Sequence, residues 1–328
     1  MDQLGTFEKY LVEEFYDDYR EGLINRRTFI RRVAFITGSI GATITALTAV
    51  GCAPSELPSP TEPMPSAVPP TTAPTAAPTT QATSAPTTEA RSPLSVAADD
   101  PAVRGETVTF PSGDVEVSAY LARPAADGTY PAVLVCHENR GLTPHIQDVA
   151  RRFAKAGYVA LAIDLLSREG GTASRDRDEI PGLLTNAGPE RHVGDFLAGY
   201  AYLSGLPYVD GSRVAMTGFC FGGGITWRVA TAMPELKAAA PFYGPAPDLD
   251  QVPNIQAAVL GVYAELDERI NAGKPDLEKA LEAAGKTYRL TVYPGVNHAF
   301  HNDTGERYDE AQATQAWNDM LAWFEAHV

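Results

Sequence analysis

Cys220 stands in Gly218-Phe219-Cys220-Phe221-Gly222-Gly223-Gly224, after the short apolar run Arg213–Thr217 and before a helical pattern over Gly222–Met233. This is G-x-S-x-G with cysteine in the serine place. On such a strand-turn-helix bend the central residue is exposed, the glycines let backbones pass, and the helix N-terminus favours a thiolate. A buried cysteine in a glycine-rich packing turn is the plainer alternative. The partners of a nucleophile on this bend follow in the chain order acid, then histidine. Asp267 comes after the apolar run Ala257–Tyr263, and His298 lies in Pro294-Gly295-Val296-Asn297-His298-Ala299-Phe300 after Tyr288–Tyr293. His298 would move the thiol proton and Asp267 would fix the ring tautomer. Glu265 and Glu268 compete with Asp267 as the acid, and His301 competes with His298. No third ligand with metal-site spacing accompanies the two histidines, so no metal is expected.

These residues need a scaffold that brings strand ends together. From Asp99 onward short apolar runs alternate with amphipathic stretches, the pattern of strands joined by crossover helices. Strands are predicted at Glu106–Phe110, Val115–Arg123, Ala132–Cys136, Tyr158–Ile163, Arg213–Thr217, Ala238–Tyr243, Ala257–Tyr263 and Tyr288–Tyr293. Helices are predicted at Pro144–Ala156, Glu190–Leu206, Gly222–Met233, Pro275–Ala284 and Glu306–Ala326. The fold class is α/β: a doubly wound, mostly parallel sheet flanked by helices, with chemistry at the carboxyl ends of its strands. The stretch between Ser167 and Pro189 carries no readable motif and is expected to shape the substrate pocket.

With these motifs in place, residues 104–328 resemble the dienelactone hydrolase family, carboxymethylenebutenolidases of the α/β-hydrolase fold. The resemblance rests on Gly218–Gly223 with its cysteine, on Asp267, on Gly295–Phe300, and on Cys136-His137-Glu138-Asn139-Arg140-Gly141. It implies that Glu138 pairs with the thiol and deprotonates it when substrate arrives; a loop-bridging contact with Arg140 is the alternative. It also implies an oxyanion hole made by the backbone N–H groups of Phe221 and Asn139. His137 is expected to be a supporting hydrogen-bonder, and Cys136 a small buried residue. Members acting on dienelactone hold its carboxylate with arginines, one of them four residues beyond the histidine, where this chain has Asn302. Arg140 and Arg168 are the substrate-binding candidates, with Arg175 and Arg177 as further arginines in the same loop as Arg168. The expected activity is cleavage of a lactone or small carboxylic ester through an acyl-cysteine, with no cofactor. An acyl transferase or thioesterase on the same site, or a solute-binding lipoprotein without turnover, is the alternative.

The remainder of the 328 residues is addressing and spacing. Arg26 and Arg27 precede a charge-free run from Val33 to Gly51 and then Cys52. This resembles a twin-arginine export signal ending in a lipoprotein box, although Ala49 stands where a leucine is usual. An uncleaved anchor is the alternative. Residues 53–98 hold 11 of the 26 prolines among Thr, Ala and Ser, and read as a linker. The domain scheme is thus 1–52 export signal, 53–98 linker, and 99–328 hydrolase domain. Residues 2–25 are acidic and aromatic with roughly helical spacing, and no role follows from that pattern. The net charge of −15 argues against nucleic acid as a partner. Three cysteines are too few for a disulfide scaffold. The expected partners are a small ester or lactone, the export machinery and, through lipidated Cys52, the outer face of a membrane, with the protein a monomer.

Overall fold

The computed structural model describes residues 5–38 and 92–328. The lipoprotein box, Cys52 and nearly all of the expected linker lie outside these residues.

Eight strands form one sheet in the order β1-β2-β4-β3-β5-β6-β7-β8. They are β1 Val103–Ser112, β2 Val115–Pro124, β3 Tyr130–Cys136, β4 Val159–Ile163, β5 Val209–Phe219, β6 Ala238–Phe242, β7 Ala258–Ala264 and β8 Tyr288–Tyr293. β1 and β2 form an antiparallel hairpin that turns at Gly113, which adopts φ +64°, and β2 also meets β4 antiparallel. From β4 through β8 neighbouring strands run parallel. Every residue of β4, β6 and β7 is buried. That is why these segments read as unbroken apolar runs: crossover helices cover both faces of a parallel sheet.

Nine α-helices accompany the sheet among the described residues: α1 Thr6–Arg20, α2 Arg26–Thr37, α3 Pro144–Lys155, α4 Ile180–Ala187, α5 Pro189–Ser204, α6 Phe221–Ala232, α7 Glu268–Asn271, α8 Lys274–Ala283 and α9 Glu310–His327. On one face Phe153 of α3 packs on Trp317 and Phe324 of α9, with ring centroids 4.6 and 6.2 Å apart. On the other, α5 and α6 pack together across the central strands.

Three departures from the sequence expectation have physical causes. The stretch after β4 that carried no motif holds helix α4. The closing helix starts at Glu310 instead of Glu306, because the Asp309 side chain accepts the Gln312 N–H at 2.9 Å and so caps it there. Residues 92–98, assigned to the linker, partly pack on the body: Val96 is buried, and Asp148 accepts from the Val96 N–H at 2.7 Å and from Ser95 Oγ at 2.8 Å.

Helices α1 and α2 form a hairpin against the domain. Phe7, Leu11 and Phe15 follow one stripe of α1 at four-residue spacing, and Phe29, Val33 and Ile36 follow one of α2; all six are buried. Asn25 caps α2 by accepting the Thr28 N–H at 3.0 Å, and Gly38 ends it in the left-handed conformation.

Candidate active site

The chain leaves β5 at Phe219 and enters α6 at Phe221, so Cys220 makes the whole bend, with φ 59° and ψ −120°. A non-glycine residue in that conformation is strained and must be held by its surroundings. The Cys220 N–H donates to Phe242 O at 3.0 Å, and its carbonyl accepts the Gly223 N–H at 2.9 Å. Two glycines make the bend possible. A Cβ on Gly218 would strike the Gly222 carbonyl, and one on Gly222 would strike the carbonyls of Cys136 and His137 at the end of β3.

Asp267 follows β7 and His298 follows β8, and both are buried. His298 Nδ1 lies 2.6 Å from Asp267 Oδ2. The second Asp267 oxygen accepts the Ile270 N–H at 3.3 Å, which caps α7 and fixes the carboxylate. Burial opposes the charge of Asp267, but His298, Arg269 and these hydrogen bonds outweigh it and hold its pKa below the usual carboxylate range. The rival acids lie elsewhere. Glu265 is exposed and accepts the Gly295 N–H at 2.7 Å, while Glu268 is exposed on the first turn of α7. His301 stacks on Phe219 at 5.0 Å in the core, where burial drives its pKa well down.

The atoms facing the thiol come from an unexpected element. Tyr10 Oη–H on α1 donates to Cys220 Sγ at 3.3 Å, and the thiol lies 3.4 and 3.5 Å from the two Glu14 oxygens. The Phe221 N–H also reaches the sulfur. Glu14 Oε2 stands 3.8 Å from His298 Nε2, a nitrogen that is buried with no hydrogen-bond partner. Burial raises the thiol pKa well above its ordinary value, and the charges of Glu14 and Glu138 add to that. Glu14 itself is held below the carboxylate range: burial opposes its charge, but His298, Arg269 and the bonds from Tyr10 and Cys220 prevail. One atom each of Glu14, Cys220 and His298 lie within 4.8 Å of one another, close enough to share a cation. The thiol-to-carboxylate hydrogen bond accounts for the same grouping.

The β3 end supplies the other wall. His137 is anchored at both nitrogens, 2.6 Å from Glu138 O and 3.3 Å from the Leu165 N. Glu138 is buried and accepts from Asn302 Nδ2 at 2.6 Å, so Asn302 holds this carboxylate where a pairing with Arg140 was an expected alternative. The thiol's carboxylate hydrogen bonds in this structure go to Glu14, and Glu138 acts on it through its charge. The Asn139 side chain donates to Glu14 Oε1 at 2.7 Å. A cavity of about 250 Å³ lies beside Cys220 and His298, with Glu14 and Asp18 of α1 on one wall and Glu138, Arg140, Arg177 and Arg307 on the others. Arg168 is not part of it. Its guanidinium grips both oxygens of buried Asp195 at 2.8 and 2.7 Å and reaches Ser112 O at 3.1 Å, which corrects its candidacy as a substrate ligand. Arg175 does not line this cavity either.

Sequence reasoning missed Tyr10, Glu14 and Tyr243. Tyr243 adopts φ 36° just after β6 and packs its ring 5.0 Å from that of His298. The four-residue step from Tyr10 to Glu14 marked one helix face, but nothing local says where that face docks. Chemically, the arrangement can hold a thiol beside an imidazole backed by a carboxylate, under a helix N-terminus.

An eight-stranded, mostly parallel sheet with a cysteine, an aspartate and a histidine at three strand ends is the architecture of an α/β-hydrolase. The chain belongs to the dienelactone hydrolase family, whose model matches residues 117–328. It is 35% identical over 246 residues to a provisionally named carboxymethylenebutenolidase of Methylorubrum extorquens, covering 71% of this chain and 84% of that protein. A Salmonella typhi protein of the same provisional name is 36% identical over 251 residues, covering 71% and 91%. Among solved structures, a provisionally named dienelactone hydrolase from Klebsiella pneumoniae superposes with a TM-score of 0.65 at 34% identity, over 69% of this chain and all of that one.

Proposed function

We propose that the protein hydrolyses a lactone or small carboxylic ester through a Cys220 thioester. The observation that carries this is the strained Cys220 bend beside the buried His298–Asp267 pair at 2.6 Å. His298 Nε2 takes the thiol proton, and the sulfur adds to the substrate carbonyl. The resulting oxyanion is met by the N–H groups of Phe221 and Asn139. Collapse breaks the carbon–oxygen bond, and the alkoxide leaves with the proton from His298. A water molecule, deprotonated by the same nitrogen, then cleaves the thioester and frees the acid and the thiol. Asp267 keeps the ring in the tautomer both steps need. In this scheme Glu138 adds a negative charge that keeps the resting thiol protonated and protected from oxidation.

The cavity suggests the substrate class. Arg140, Arg177 and Arg307 line it together with the thiol, and Arg140 lowers the pKa of Arg177 by like-charge repulsion ahead of burial. Glu14, Asp18, Glu138 and Glu306 line the same cavity, so the arginines suit an ester or lactone that carries a carboxylate once the two acids of α1 are displaced. By the same proposal, Arg26 and Arg27 direct export and Cys52 carries a lipid.

The test is acyl trapping. The chain, both intact and with residues 1–60 cut away after folding, is mixed with excess 4-nitrophenyl acetate, quenched in acid and digested. The expected result is one acetyl group on the peptide holding Cys220, absent from Cys220→Ala together with nitrophenol release. Equal release by Cys220→Ala and the unaltered protein in both forms would overturn the reading.

A further inference from the structure

We propose that the mouth of the Cys220 site is a docking face for this chain's own residues 6–37, and that the docked hairpin keeps the site closed until that segment is removed. The inference rests on Cys220 being the reactive group of the proposed hydrolase.

Three independent sets of contacts support it. At the reacting atoms, α1 places two side chains where a substrate would have to enter: Tyr10 on the sulfur at 3.3 Å, and Glu14 against both the sulfur and His298 Nε2. The Glu14 carboxylate also takes Asn139 Nδ2 at 2.7 Å, on the residue whose backbone is expected to face the oxyanion. Around the mouth, the acidic face of α1 meets basic side chains of the domain. Arg307 binds Asp18 at 2.9 Å and Glu21 at 2.7 Å, and Arg269 approaches Glu14 at 4.0 Å and Asp17 at 3.7 Å. These acids neutralise a rim that the proposed anionic substrate would otherwise use. Away from the mouth, the hairpin is seated as a folded interface. Phe7 lies edge-on to Phe221 at 5.3 Å and beneath the Arg228 guanidinium at 4.2 Å. Arg32 binds Asp178 at 3.1 Å, and the Phe35 backbone packs so closely on Gly182 of α4 that a Cβ there would clash.

The chemistry follows from the contacts. Glu14 stands between the thiol and its base; burial disfavours the thiolate, and the charges of Glu14 and Glu138 add to that. Undocking removes the cover and one of the two carboxylates at once. A carboxylate-bearing substrate could then take the place of Glu14. No bond in the domain need change.

The experiment uses the full chain. Leu11→Asp with Val33→Asp puts charges into two buried positions of the hairpin, neither of them in the proposed machinery. In a second form, a specific protease site replaces residues 60–67, and the intact folded chain is cut after purification. The rate of Cys220 alkylation by iodoacetamide, read by peptide mass, and the rate of 4-nitrophenyl acetate hydrolysis are measured before and after. We expect alkylation and hydrolysis each to rise at least tenfold in either form, and a synthetic peptide of residues 5–38 to reverse both. Unchanged alkylation in the cut and separated chain would overturn the inference. So would faster alkylation with slower hydrolysis, since α1 would then be a working wall of the site. Protection that is lost on diluting the intact chain would assign the occupant to a second copy and also overturn it. Faster alkylation reversed by the peptide, with no hydrolysis in any form, would uphold the closure and refute the hydrolase instead.

Discussion

In the proposed mechanism the contact between Asp267 and His298 bears on the chemistry more than any other pair, because it sets which imidazole nitrogen carries the proton. Asp267 Oδ2 sits 2.6 Å from Nδ1, leaving Nε2 to face the thiol side. An asparagine would fit the same space and turn a donor toward Nδ1. Under the proposed mechanism Asp267→Asn should lower kcat by roughly 10⁴-fold, measured as thioester formation in the undocked chain. A fall of less than tenfold would remove Asp267 from the mechanism. The same carboxylate makes a pH prediction. Its folded pKa lies below the ordinary value, so it stabilises the fold fully above about pH 4 and loses that contribution as pH falls through the folded pKa. Urea unfolding of the wild type and the variant should therefore differ at neutral pH and converge in acid. The placement of these residues was legible in the sequence, because a central residue between glycines at fixed spacing marks the bend and the acid and histidine follow it in a fixed chain order. Glu138 was legible only in part. Its burial at the end of β3 agrees with the expected position, but its hydrogen bond to Asn302 comes from a residue 164 positions away.

Among the elements, the loop between β4 and α4 is held by ion pairs more than by its own propensity. It contains two 3₁₀ turns, at Ser167–Glu169 and Thr172–Ser174, and Arg168 and Asp164 fasten it at either side. Asp164 accepts the Thr172 N–H at 2.8 Å and its hydroxyl at 2.7 Å. Arg168 bridges the loop to Asp195 on α5 and to Ser112 at the end of β1. With Asp195 only 1% exposed, Arg168→Ala strands a buried carboxylate, which costs about 3–5 kcal/mol in comparable pairs. The expected outcome is a large loss of unfolding free energy in urea, with kcat per folded molecule unchanged in the undocked chain. A loss of kcat with intact stability would restore Arg168 to the substrate pocket. The strands and crossover helices were legible because each carries its own period, and every strand expected from sequence is present. Helix α4 was not, since Ile180-Pro181-Gly182-Leu183-Leu184 has two residues poor in helices, and its packing partners lie on α2. Position alone made Arg168 look like a ligand; its true partner is 27 residues away.

Across the whole molecule residues 6–37 and the domain pack as one body, since α1 and α2 bury their apolar stripes on the part that the leader is proposed to escort. No helix among the described residues is long and apolar enough to cross a membrane. Helical spacing in residues 2–25 was legible, but its destination at Cys220, some 200 positions on, was not. Helix α2 carries the arginine pair that is proposed to direct export. Arg26 and Arg27 occupy its first turn, which contains no acidic residue, and both are exposed while Phe29, Val33 and Ile36 are packed away. Positive charge at a helix N-terminus opposes the helix dipole and typically costs about 0.3–1 kcal/mol, so helix stability does not explain this pair. Recognition by an export receptor would, and docking leaves both side chains free to be read. Replacing both with lysine keeps the charge and the hairpin but loses the planar, forked guanidinium. Arg26→Lys with Arg27→Lys should therefore leave the folded chain inside the cell, found by fractionation at several times the wild-type level and with Cys220 as slow to alkylate as in the unaltered chain. Normal export of the double variant would detach the arginine pair from targeting and leave α2 with a purely structural task.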